Sequence, residues 1–345
     1  MFLTAALLLL VTLIPGYALC KVLDASADRM RKIALSPALG LLLAYGLAGL
    51  LLLSNLWTWQ LMSALFLLLN VGALAHIRHR PEAGKKLTSW QKLERAMHGE
   101  VYGGHEDSIS DEVAAQRWLQ NQRKPWMLLL ASGVLASCLT LPLLQELPFG
   151  IDWIGFSTLT NQIATAGDLS LPGTNDGFWT YTPAFPSLAA WIQETLNISP
   201  AEAVFQLGHY SLFALVLGIG GAMDRHGSGA NGILAMGLGA GLFAKVFDSG
   251  YPSVASQLGL VVGLLVLLRP TSTRGKHHTS GFILAFFSVL LIHPTGAIYL
   301  GMLMFAHIII GLSLNEQHGE NIKKLLFTSL ILLTIAGAIA LLILA

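Results

Sequence analysis

The sequence predicts an all-α polytopic membrane protein with about ten transmembrane helices and one long extracytoplasmic loop bearing juxtamembrane helices. Three observations carry that prediction. The 345 residues are 54% hydrophobic and 11% charged, against roughly 25% charged in soluble domains. Apolar runs near 20 residues recur along the whole chain, the length that crosses ~30 Å of hydrocarbon. These runs are Leu-rich blocks, not the ten-residue alternating segments of a membrane barrel. A net charge of +1 without a long basic run gives no signal for nucleic acid. Cys20 and Cys138 both fall in apolar runs near opposite membrane depths, so no disulfide is expected.

Hydropathy places the spans at 2–20, 35–53, 58–76, 127–147, 203–222, 229–247, 252–268, 280–293, 296–313 and 325–344. The first run lacks a basic leader and carries Pro15-Gly16 instead of a small-residue cleavage site, so it reads as a span, not a cleaved signal peptide. The eighth holds only about a dozen apolar residues, short for a span. Counting it as one makes the charge pattern close. With the N-terminus outside, nineteen of the 20 Lys and Arg residues fall on the cytoplasmic side, and only Lys245 on the other. Residues 125–224 contain neither Lys nor Arg. The expected location is the plasma (cell) membrane, multi-pass, with an extracytoplasmic N-terminus.

Three units follow: an N-terminal three-helix membrane segment (1–76), a polar cytoplasmic loop (77–125), and a membrane core (126–345) with its extracytoplasmic loop at 148–202. Within the cytoplasmic loop, Leu87–Met97 has the pattern of an amphipathic surface helix, and His79, His98 and His105 match no metal-ligand spacing.

Ionisable groups near a bilayer are costly and therefore functional suspects, and the outer face concentrates them. Glu146 closes span four and Asp152 follows in Pro148-Phe-Gly-Ile-Asp152-Trp153. Trp153, Phe156, Leu159 and Ile163 recur at helical spacing, predicting an interfacial helix over Trp153–Ala166. Gly167-Asp168 ends it, and Asp176 lies in an Asn-Asp-Gly turn. The stretch Phe178-Trp179-Thr180-Tyr181-Thr182-Pro183-Ala184-Phe185-Pro186 combines headgroup-level aromatics with prolines that favour extended or turning backbone ahead of a short helix at Ser187–Thr195. His209 sits about two turns into span five. Lys245 ends span six with Asp248 one turn on, and His293 marks the break between spans eight and nine.

One lysine and two histidines beside several carboxylates suit a site that holds a phosphate while a hydroxyl is deprotonated. Each residue also has a purely structural reading. Asp152 suits a helix N-terminus. Lys245 can reach the headgroups or pair with Asp248. His209, His293 and His307 suit packing, and Asp168 and Asp176 suit turns.

The order of span, acidic residue, juxtamembrane helix, Gly-Asp and Tyr-x-Pro-x-x-Pro resembles the GT-C glycosyltransferases. The resembling stretch runs from Ile151-Asp152-Trp153-Ile154-Gly155 to Tyr181-Thr182-Pro183-Ala184-Phe185-Pro186-Ser187-Leu188, and Leu13-Ile14-Pro15-Gly16-Tyr17 is similar to the N-terminus of prokaryotic GT-C-like membrane proteins. The resemblance implies a GT-C-like core at 126–345 and a polyprenyl-phosphate-sugar donor. It further implies a lipid, glycan or protein acceptor and sugar transfer at the extracytoplasmic face of the cell envelope. Asp152 would be the catalytic base, with Lys245, His209, His293, Asp248, Trp179 and Tyr181 on the substrate. A divalent metal (Mg or Mn) on Asp152 with Asp168 or Asp176 would suit hard oxygen donors. The sequence departs from the family in having the acidic loop after the fourth span, Trp153 after the acid, and Phe156 four residues on. Two other readings stand beside it. One is a transporter or flippase of a lipid-linked or small anionic substrate, for which Gly-rich span six speaks. The other is a non-catalytic membrane assembly partner.

Overall fold

A computed structural model describes residues 1–24, 27, 29–79, 125–145, 147–169, 181–224, 228–267 and 276–313. Its described residues form the helices α1 (Phe2–Leu23), α2 (Arg29–Leu53), α3 (Trp59–His79), α4 (Pro125–Leu144), α5 (Asp152–Ala166), α6 (Ala184–Leu196) and α7 (Pro200–Met223). They continue as α8 (Gly229–Gly237), α9 (Ala240–Phe247), α10 (Tyr251–Ser256), α11 (Gly259–Leu267), α12 (Lys276–Ile292) and α13 (Pro294–Ser313). Among them α1, α2, α3 and α7 are long and apolar enough to cross a membrane, and shorter apolar helices accompany them. The protein is thus all-helical over its described residues and built to sit in a bilayer. The predicted tenth span at 325–344 and the Leu87–Met97 helix lie outside the described residues.

Two of the predicted spans are not continuous helices. The sixth divides into α8 and α9 around Leu238 and Gly239, where Gly239 takes an extended backbone (ψ 116°). Gly237 also packs flush against Val134 of α4, leaving no room for a side chain that would stiffen the segment. The seventh divides into α10 and α11 at Gln257-Leu258, where Leu258 N–H bonds Ala255 at 3.1 Å in the tighter three-residue pattern. Apolar composition runs evenly through both breaks, so hydropathy does not register them. The eighth is longer than its apolar content implied, because polar residues from Lys276 extend its start.

Helices α2 and α7 form the buried centre, with α1, α6 and α12 packed on α2. Helix α3 contacts chiefly α1 and α6, and only 17% of its apolar window is buried, as expected of a helix facing lipid. Small residues let α1 and α2 meet backbone to backbone: a β-carbon on Gly16 would collide with the Ser36 carbonyl, and one on Gly40 with that of Thr12. Hydroxyl pairs tie the centre together. Tyr210 donates to Thr12 at 3.0 Å, Tyr45 donates to Ser211 at 2.7 Å, and Thr4 bonds Gln206.

The helix ends sort into two opposite sets. At one end, Arg31 at the start of α2 pairs with Asp24 at 2.6 Å and donates to the Gly221 carbonyl near the end of α7 at 2.8 Å. His278 of α12 donates to the Leu23 carbonyl there at 3.0 Å. At the other end, Trp191 of α6 donates to Ser63 of α3 at 2.9 Å, and Thr182 donates to the Ile292 carbonyl that terminates α12 at 2.7 Å. Up–down alternation of the chain produces this sorting, and the second end carries the 148–169 loop.

Candidate functional site

The site is assembled by a lock between two distant segments. Gly150 adopts φ +74°, a left-handed conformation that suits glycine. A β-carbon there would lie 2.9 Å from the Asp248 carbonyl carbon. Beside it, Phe149 packs against Phe247 with ring centroids 5.2 Å apart, and Ser249 donates to the Phe149 carbonyl. The loop following α4 is thereby fastened to the turn following α9. Asp152 emerges two residues past Gly150, as the first residue of α5, where a carboxylate complements the helix dipole. Lys245 lies in the last turn of α9 and Asp248 just beyond it. All three are exposed, and no ion pair joins Lys245 to Asp248.

Between these charges stands an aromatic wall. Tyr181 meets Phe156 of α5 edge-on at 5.2 Å, and its other neighbour is His293, 5.9 Å away. Phe156 also meets Phe185, which in turn stacks on Tyr45 of α2. The Thr182–Ile292 hydrogen bond holds Tyr181 beside the α12–α13 break that carries His293. Burial raises the Tyr181 phenol well above its ordinary value, and the nearby Asp152 charge raises it further. Burial lowers the His293 imidazole, and the Lys245 charge lowers it more. The site thus holds two acidic side chains, Asp152 and Asp248, one lysine and two neutral ring donors at a single end of the bundle.

His209 does not join this group. It is 2% exposed, donates from Nδ1 to the Cys138 carbonyl at 2.8 Å, and packs among Phe205 and Tyr251. Its place is the α4–α7–α10 interior. The Ala184–Pro186 stretch, expected as extended or turning backbone ahead of a helix at Ser187–Thr195, is instead the first turn of α6 and is buried. Proline is tolerated in a first helical turn because its absent N–H has no partner to lose there. Asp168 is half-buried beyond the far end of α5. The 15-residue helix α5 begins at Asp152 and ends before Asp168, about 20 Å of rise, so those two do not share one metal ion. No group of three His, Cys, Asp or Glu residues fit for a metal occurs among the described residues. Asp176 and Trp179 lie outside the described residues, as does Glu146.

Sequence reasoning missed Gly150, Ser249, Thr182 and Thr295. Only the last had a signal that could have found it: Pro294 suits the first position of a helix, which puts Thr295 in the first turn. Comparison with protein-family models, curated proteins and solved structures finds no match to this chain.

Proposed function

We propose that this protein is a membrane glycosyltransferase that moves a sugar from a polyprenyl-phosphate donor to an acceptor hydroxyl at the extracytoplasmic side of a cell membrane. The observation that carries the reading is the convergence of Asp152 and Lys245, 93 positions apart in sequence, on the same Tyr181–His293 pair. Asp152 is exposed and can meet an incoming hydroxyl. Its carboxylate takes the hydroxyl proton as the acceptor oxygen bonds to the sugar's anomeric carbon. The bond from that carbon to the phosphate oxygen breaks, and the electron pair leaves with the polyprenyl phosphate. Lys245 offsets the leaving group's charge, with Tyr181 and His293 as neutral donors; fixed donors of this kind are worth ~3–4 kcal/mol each. The apolar tail of the donor lies along the exposed helix faces, in contact with membrane lipids. Ten crossings with the N-terminus outside complete the reading, supported by the asymmetry of Lys and Arg.

The test is sugar transfer by the purified protein in liposomes supplied with a polyprenyl-phosphate sugar and candidate acceptors. Transfer that is lost in Asp152→Asn supports the reading. Full activity in that variant overturns the assignment of the base.

A transporter or flippase is the second reading, and the breaks at Leu238-Gly239 and Gln257-Leu258 favour it, since broken helices recur at transport sites. Movement of the lipid-linked substrate between leaflets without chemistry decides for it.

A further inference from the structure

His293 caps helix α13. It is the residue before Pro294, the first of that helix, and Pro294 brings no N–H of its own. The next amide, that of Thr295, points at His293 Nδ1 at 3.3 Å, and the Thr295 hydroxyl lies 2.7 Å from the same nitrogen. An amide N–H only donates, so Nδ1 is the acceptor and carries no proton. A neutral imidazole in that position keeps its proton on Nε2, the nitrogen across the ring. Nε2 makes no hydrogen bond to any described residue.

We propose that Thr295 is a positioning residue that fixes His293 as a neutral imidazole with its proton on Nε2. In that form His293 is a hydrogen-bond donor to an oxyanion bound between Tyr181 and Lys245. The oxyanion rests on the function proposed above; the proton's position does not. Lys245 from α9 and Tyr181 from the segment ahead of α6 face His293, and Asp152 from α5 lies against Tyr181. Lys245 and the positive end of α13 oppose a second proton on the ring. Adding one to Nδ1 removes the acceptor that the Thr295 amide has among the described residues, so charging the ring also undoes the cap. The consequence is chemical: the site offers a single full positive charge, and its second donor works without carrying charge.

The full-length protein, labelled with ¹⁵N-histidine and held in lipid nanodiscs at pH 7, reports this directly. The His293 resonances are assigned by their loss in His293→Gln. The wild type and Thr295→Ser are expected to show a protonated Nε2 and a bare Nδ1. Thr295→Val, which removes one of the two donors to Nδ1, is expected to shift the tautomer ratio about fivefold toward Nδ1–H, the effect of one neutral hydrogen bond. A wild-type His293 protonated on Nδ1 or on both nitrogens overturns the proposal, and so does a Thr295→Val spectrum identical to wild type. Absence of sugar transfer alongside the expected spectra overturns only the proposed function.

Discussion

Gly150 presses its bare α-carbon against the backbone of Asp248, close enough that a β-carbon would sit 2.9 Å from that residue's carbonyl carbon. This contact sets the spacing of Asp152 from Lys245, because each lies within a few residues of it. Gly150→Ala adds both a collision and the left-handed penalty of about 1–2 kcal/mol for a non-glycine residue. The variant is expected to melt earlier than wild type in detergent and to lose activity. Ser249→Ala, which removes the side-chain hydrogen bonds to the Phe149 carbonyl and to Tyr251, is expected to cost about 1 kcal/mol per bond in the same melt.

Asp152 and Lys245 are both exposed, so neither carries the fold. Asp152→Asn and Lys245→Met are expected to leave the melting temperature within about a degree of wild type, as surface changes within ±0.5 kcal/mol do. Transfer is expected to fall by about 10²-fold or more in each, from the loss of a base and of a fixed positive charge. The double variant is expected to be little worse than the worse single one, because both act on one step. Kinetics of the three variants check this, and strict additivity counts against a shared site.

The lowered pKa of His293 has a sign that can be read from pH. Folding favours the neutral ring, so this group's stabilisation is present above the ordinary histidine value of about 6.5. It is lost as pH falls from there through the folded value. Thermal melts of wild type are expected to drop below pH 6.5 more steeply than those of His293→Gln. Equal slopes would remove His293 from the pH response.

At the opposite end of the bundle, the Arg31–Asp24 pair is buried, with Asp24 fully enclosed. Arg31→Met alone removes the ion-pair partner of an enclosed carboxylate and is expected to cost about 3–5 kcal/mol. Adding Asp24→Leu is expected to recover much of that loss. Denaturant unfolding of the single and double variants separates the two effects.

Much of this architecture was legible because its cause is local. Apolar runs fix where α1, α2, α3 and α7 lie. The three-to-four spacing of Trp153, Phe156, Leu159 and Ile163 announces α5, of which Phe156, Leu159 and Ile163 turn a buried face to the bundle. Asp152, Lys245, Asp248 and His293 were visible as rare charges at span ends, and the fold brings them to one end. His209 shows the limit. In a span that is apolar nearly all round, no periodicity says which face a residue presents, and His209 turns inward to the Cys138 carbonyl. Gly150, Ser249 and Thr182 were invisible for a different reason: each matters through a partner about 100 residues away, and no local pattern encodes that contact.

The backbone weld between α1 and α2 at Gly16 and Gly40 has a mechanical consequence. Neither helix can roll or slide across the other without driving a carbonyl into an α-carbon, so the pair behaves as one stiff plank. Any rocking of the bundle must then flex elsewhere, and the interrupted stretches at Leu238-Gly239 and Gln257-Leu258 are the joints the chain provides.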